Sequence, residues 1–371
     1  MQTKEPIQNL TVPADDLRLA SVGFKDEENE LALKILVTLS SAFSLFGTSL
    51  IVGTFIAWKD FRSTSRKILV YVSIADFLIA GGNIFGTWIP DPEEDGSVVL
   101  CKAQSFITTT ATLWSFFWTA FLAVFLYMAV AKKRRSTAEK ILRFYHLFAW
   151  GTPLILVGTA FGLKILGTPI YLFTSSWCWV DSNLEEFKKK LWLLLLGKAW
   201  EVVAYILIFA FYLALKYHIR NELSHRTGQF PSQESINSAL KAEKRLTYIP
   251  VIFVLLRIWG TIRFILYSFT DVGFHMWLGK VLLYLQGIGD SSQGFANCLL
   301  FCILTEKFQT RVRGFTRFVV TKCKGACCRR TKTKSVRFQD EKEFICSTQE
   351  TPLIEKSASI NEHSHKIYQT C

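Results

Sequence analysis

Six ionisable residues stand inside long apolar runs of this 371-residue chain: Asp76, Lys198, Glu201, Arg257, Arg263 and Asp290. A charged side chain at the centre of a membrane helix costs about 2.5–3.5 kcal/mol on insertion scales, so it is retained where it is paired or lines a hydrated cavity. Lys198 and Glu201 are one helical turn apart and share a face. At a rise of about 1.5 Å per residue, Arg257 and Asp290 fall at one depth and can pair. Arg263 lies within reach of Glu201. Two chemistries follow. Lys198, Glu201 and Arg263, with Trp259 and Tyr267 as walls, make a candidate ligand pocket. Asp76, Arg257 and Asp290, with Gln293, make a candidate switch network. A buried polar network that only fixes helix register accounts for the same residues, and the aromatics around them (Trp192, Trp200, Tyr205 and Tyr284 as well) also suit an interfacial belt or plain packing.

Enzymatic chemistry has little to work with. Of six histidines only His146 and His218 touch the apolar runs, and neither has a second metal ligand nearby. We expect no catalytic residues, no metal and no cofactor. A retinal protein needs a lysine in the middle of its last span; here Lys280 lies near the end and Asp290 holds the middle.

The elements that must position the charges are long helices. Hydrophobic residues make up 50% of the chain and charged residues 20%, with a mean hydropathy of +0.26. The apolar residues fall into blocks and the charges into the gaps, which excludes a disordered chain, a nucleic-acid-binding domain and a small disulfide scaffold. Crossing a bilayer takes about 20 mostly apolar residues. Seven segments qualify: Leu31–Trp58, Ile68–Ile89, Gln104–Ala131, Phe144–Leu163, Leu191–Leu215, Leu246–Thr270 and Trp277–Leu304. No internal repeat and no cleavable signal peptide is visible, so the first span is expected to act as the insertion signal. The domains expected are a short extracellular N-terminus (1–30), the bundle (31–304), an amphipathic juxtamembrane helix (305–320) and a disordered cytoplasmic tail (321–371).

The net charge of +13 is read as topology. Loops 59–67, 132–143 and 216–245 hold 16 Lys and Arg, against 9 in the N-terminus and the other set of loops, and the stretch after 304 holds 14. By the positive-inside rule the N-terminus is outside and the C-terminus inside. Asn9-Leu10-Thr11 is then a usable glycosylation sequon. Of nine cysteines only Cys101 and Cys178 fall on the outer, oxidising side, which predicts a Cys101–Cys178 bridge. Cys298 and Cys302 read as small packing residues. Cys323, Cys327 and Cys328, among basic residues next to the membrane, are candidates for S-palmitoylation.

Seven spans, an outer bridge from span three and a basic inner face resemble a G-protein-coupled receptor. Gln293-Gly294-Phe-Ala-Asn-Cys-Leu-Leu-Phe301-Cys302 resembles the end of span seven in the secretin and adhesion receptors and in the slime-mould cAMP receptors. Trp150-Gly-Thr-Pro153, Cys178-Trp179 and Arg245-Leu-Thr-Tyr-Ile-Pro250 resemble their span four, second outer loop and start of span six. Phe116-Phe-Trp-Thr119, Trp177-Cys-Trp179 and the run Leu256–Phe264 are similar to an orphan branch of the group. There are departures. Asp-Arg-Tyr and Asn-Pro-x-x-Tyr are missing, so the chain is outside the rhodopsin class. Val70 stands in place of the secretin-class histidine, and Phe253 in place of the glycine of Pro-x-x-Gly. The N-terminus before span one has no cysteine, which excludes a disulfide-bonded hormone-capture domain.

The resemblance implies a receptor that passes an extracellular signal to a heterotrimeric G protein by outward movement of span six, through a Gq phosphoinositide–calcium or a Gs cAMP pathway. Lys241, Lys244 and Arg245, which open span six, are the candidate G-protein contact; the run Lys132–Arg135 reads as a lipid anchor. Phe308, Val312 and Phe315 share one face of a short helix on the inner leaflet, with Arg311 on another. The expected partners are a G protein, an unidentified ligand, membrane lipid and arrestin, with no nucleic acid. The expected location is the plasma membrane, with the cilium as a specialised alternative. A small-molecule transporter is the rival reading, but the matched pair of interrupted spans common in transporters is not seen.

Overall fold

The computed structural model describes residues 27–89, 96–131, 135–167, 177–181, 183–225, 248–269, 276–303 and 308–314. The bundle lies within Met1–Val312. Among the described residues seven long helices build it: α1 (Glu27–Ala57), α2 (Thr64–Thr87), α3 (Ser97–Leu126), α4 (Arg135–Gly162), α5 (Glu186–Leu193, continuing through Leu194–Lys198 into Ala199–His225), α6 (Tyr248–Phe269) and α7 (Met276–Cys298). Turns of π-helix extend α3 over Tyr127–Ala131 and α7 over Leu299–Ile303. Six of the seven are long and apolar enough to cross a membrane. The other, α7, carries Gln286, Asp290, Ser291, Ser292, Gln293 and Asn297 along its length.

Several helices outrun their apolar segments, because polar residues make good first turns. Ser63 caps α2, its side chain accepting from the Arg66 backbone N–H at 3.4 Å. α4 begins nine residues earlier than its apolar run, at Arg135. Its far end closes on Lys164, held at φ 58°, with the Ile165 N–H bonded back to the Ala160 carbonyl at 3.0 Å.

α3 is the central helix. In its most apolar window 72% of residues are buried, against 22% in α4 and in α6, which face outward. One apolar core, around Leu69, Trp118, Leu122 and Cys302, joins α2, α3, α4 and α7. A second, around Leu113, Phe116, Leu196 and Phe253, joins α3, α5 and α6 to the hairpin described next. Phe253 is fully buried here and meets Phe116 edge-on at 5.5 Å, where the related pattern has a glycine.

The connection after α4 forms a two-stranded antiparallel hairpin, β1 (Leu166–Gly167) and β2 (Trp179–Val180). A disulfide joins Cys101 of α3 to Cys178 beside β2. The Cys178 N–H also donates to Gln104 Oε1 at 3.1 Å, and Ser105 Oγ donates to the Trp179 carbonyl at 2.7 Å. Covalent and polar contacts thus pin the hairpin across one end of α3. At the opposite end residues 308–314 are helical: Phe308 packs edge-on against Trp58 at 5.9 Å, and Arg311 pairs with Asp60. Cys298 and Cys302 are buried thiols, Cys302 lying 4.0 Å from Thr54 Oγ1.

Candidate functional site

A small cavity opens beneath the hairpin. α2 contributes Ile79 and Asn83, α3 Thr108, Thr109, Thr112 and Phe116, α5 Leu196, Gly197, Lys198 and Glu201, α6 Arg257, and α7 Gln286 and Asp290; Trp177 and Trp179 of the hairpin complete the wall. Thr108 or Thr109, Thr112 and Phe116 follow one another at three- and four-residue spacing over about two turns of α3, so a stripe of threonine hydroxyls faces the space. On α5 the π-helical turn Leu194–Lys198 adds a residue to the repeat and ends at Lys198. Gly197 within it lies under the Trp179 ring: a β-carbon there would sit 2.8 Å from the indole.

Two ion pairs cross the cavity wall. Lys198 Nζ donates to Glu201 Oε2 at 2.7 Å, and Tyr205 donates to the other Glu201 oxygen. Arg257 Nη1 stands 3.8 Å from Asp290 Oδ1, and its guanidinium lies over the Phe116 ring at 4.9 Å. Lys198, Glu201 and Arg257 are all below 9% exposed. Arg263 reaches Gln286 Oε1 at 2.6 Å across the α6–α7 contact.

Deeper in the bundle lies a second polar cluster. Asp76 accepts from Ser115 Oγ at 2.8 Å and from Asn297 Nδ2 at 3.0 Å, and Gln293 Nε2 donates to Asn297 Oδ1 at 3.3 Å. Asn83 Nδ2 donates to Ser291 Oγ at 3.1 Å, between this cluster and the cavity. α2 and α7 are therefore joined through side chains at two levels, and α3 joins them at the deeper one.

The structure groups these residues differently from the sequence expectation. Arg257 and Asp290 line the cavity together with Lys198 and Glu201, so they belong to the pocket wall; Asp76 and Gln293 form the deeper cluster with Ser115 and Asn297. Arg263, Trp259 and Tyr267 are absent from the cavity lining. Tyr267 donates to Glu186 Oε2 at 2.7 Å, near the start of α5. Depth along a helix is readable from residue counts, but rotation about its axis is set by packing. Gln286, Asn83, Ser115, Asn297 and the α3 threonines were missed because an uncharged polar residue in a helix raises no alarm by its type alone. Asn9, Lys241, Lys244, Arg245, Cys323, Cys327, Cys328 and the tail 321–371 lie outside the described residues. Among the described residues no three His, Cys, Asp or Glu side chains converge as metal ligands.

The fold has a counterpart in squid rhodopsin, with a TM-score of 0.59 at 14% identity over 79% of this chain and 82% of that one. The model of the slime mold cyclic AMP receptor family matches residues 24–270. The chain belongs to that family of G-protein-coupled receptors. Mouse G-protein coupled receptor 157 is 35% identical over 308 residues, covering 81% of this chain and 88% of the relative. Its human counterpart is 36% identical over 286 residues, covering 75% and 82%. The family membership and the apolar helices make this a multi-pass membrane protein. The Gln293-Gly294 run has a packing reason in such a bundle. A β-carbon at Gly294 would stand 2.3 Å from Thr48 Cγ2, and one at Gly47 would stand 3.0 Å from the Gly294 carbonyl, so α1 and α7 meet backbone to backbone.

Proposed function

We propose that the cavity beneath the hairpin is the ligand site of a receptor that signals to a heterotrimeric G protein at the opposite end of the bundle. The observation that carries this reading is the lining itself: two cations and two carboxylates converge from α5, α6 and α7 on one space roofed by a disulfide-pinned hairpin. A ligand shifts a two-state equilibrium only through differential affinity for the two states. Contacts to Lys198, Glu201, Arg257 and Asp290 tie it to the helices whose separation would change, and the Asp76–Asn297–Ser115 cluster is the switch below. In this reading the hairpin end faces outward, the N-terminus is extracellular with Asn9 glycosylated, and outward movement of α6 opens a crevice flanked by Lys241, Lys244 and Arg245. The pathway is Gq or Gs, the location the plasma membrane or the cilium, and arrestin and lipid are further partners, with Cys323, Cys327 and Cys328 as acylation sites. Curated members of the family are named for cyclic AMP, which makes that nucleotide one probe for this cavity.

The test expresses the chain at graded surface levels without ligand and measures recruitment of each Gα class with cAMP and inositol phosphate readouts. A level-dependent signal through one class supports the receptor reading and assigns the pathway. Silence in every class at confirmed surface expression, with substrate flux in proteoliposomes, would instead favour a transporter.

A further inference from the structure

Arg257 is 4% exposed, yet its Nε and Nη2 groups have no hydrogen-bond partner among the described residues. Its ion-pair contact among the described residues, Nη1 to Asp290, is long at 3.8 Å. Thr109, also 4% exposed, keeps its hydroxyl unpartnered too. Both residues line the same cavity, from α6 and from α3. Buried guanidinium N–H groups without acceptors are costly, and Nε with one terminal nitrogen forms the edge that takes a carboxylate or phosphate in a two-pronged bond. The other cation of the wall is already satisfied, since Lys198 holds Glu201 at 2.7 Å.

We propose that the ligand of this cavity carries an acidic head group that docks on the Nε/Nη2 edge of Arg257 and the hydroxyl of Thr109. The proposal rests on the reading of the cavity as the ligand site and adds the chemical class of the ligand. The lining is charge-balanced, with Lys198 and Arg257 against Glu201 and Asp290. An acid that also bears an amine therefore suits it better than a simple anion, because the amine would face the carboxylate side. Trp177, Trp179 and Phe116 line the same space and offer aromatic faces to an apolar or aromatic body behind the head.

The experiment measures thermal unfolding of the full-length chain in lipid nanodiscs at fixed ionic strength. The carboxylate probes are L-phenylalanine and 3-phenylpropionate, with L-phenylalaninamide as the acid-free control; cyclic AMP against adenosine tests a phosphate source. At least one acid should raise the midpoint while its acid-free counterpart does not. R257Q should weaken that response tenfold or more, and R257K and T109V by smaller factors. A response to phenylalanine without one to 3-phenylpropionate assigns a zwitterion, and a response to cyclic AMP alone assigns a phosphate. The proposal is overturned if no acid shifts the midpoint, if acid and control shift it equally, or if the response survives unchanged in the variants. Should R257Q fail to fold, R257K and T109V decide. No G protein is present in this assay and no probe in the coupling assay, so the two readings fail separately.

Discussion

Lys198 and Glu201 stand 2.7 Å apart with almost no exposure. Removing one partner of a buried pair strands the other, typically at about 3–5 kcal/mol, whereas replacing both by apolar residues is often neutral. We expect Glu201→Met and Lys198→Met each to lower the midpoint of thermal unfolding in nanodiscs, and the double variant to recover most of the loss; additive losses would show that the pair is not what makes the single changes costly. Asp76 is a different case, held by Ser115 and Asn297 at hydrogen-bond distance on α3 and α7. Asp76→Asn keeps the shape but turns one acceptor into a donor facing those groups. Its expected effect is a several-fold change in ligand-independent signalling at unchanged surface level, read by the Gα recruitment assay; an unchanged basal signal would leave the cluster a purely structural clamp. Charge and depth were legible in both sites. The uncharged partners were not, since Ser115, Asn297 and Gln286 look like ordinary helix residues until a neighbour gives them a role.

At the scale of elements, close helix approach depends on missing side chains. A β-carbon on Gly289 of α7 would come within 2.0 Å of the Leu256 carbonyl oxygen of α6, a backbone atom that cannot step aside. Gly158 of α4 has nothing within 4 Å of the same position. Gly289→Ala should therefore push α6 and α7 apart and cost about 1–3 kcal/mol, as overpacking does, while Gly158→Ala leaves the midpoint unchanged or raises it slightly. Equal midpoints for the two variants would contradict the close α6–α7 contact. The hairpin offers a second element-scale test. Cys101→Ala cuts its covalent tie to α3, with an expected stability loss of about 2–4 kcal/mol. Gln104 and Ser105 still hold the hairpin by hydrogen bonds, so the bundle should persist and probe binding weaken; full loss of folded protein at the surface would show that the bridge is needed for the bundle itself.

For the whole molecule the predictions concern orientation and coupling. Glycosidase treatment of the expressed chain should remove a mobility shift that Asn9→Gln also removes, placing the N-terminus outside. A shift insensitive to Asn9→Gln would remove that support for the orientation. Replacing Lys241, Lys244 and Arg245 together by Ala should abolish Gα recruitment at unchanged surface expression, and full recruitment would discard that contact. Seven spans and the cysteine pair were legible at this scale. A span is a matter of about 20 apolar residues in a row, and the bridge followed from two cysteines sharing a compartment.

The sequence by itself determined how many helices there are, which residues lie deep in them and which two cysteines can meet, because each depends on composition along one segment or on the side of the membrane to which it is assigned. Only the tertiary structure decided who faces whom. Arg257 and Asp290 joined Lys198 and Glu201 in one cavity, Arg263 turned to Gln286, and Asp76 went to Ser115 and Asn297. The rotation of each helix about its axis is settled by packing against several neighbours at once, through Gly289, Gly294 and the π turn in α5, and no single segment carries that information.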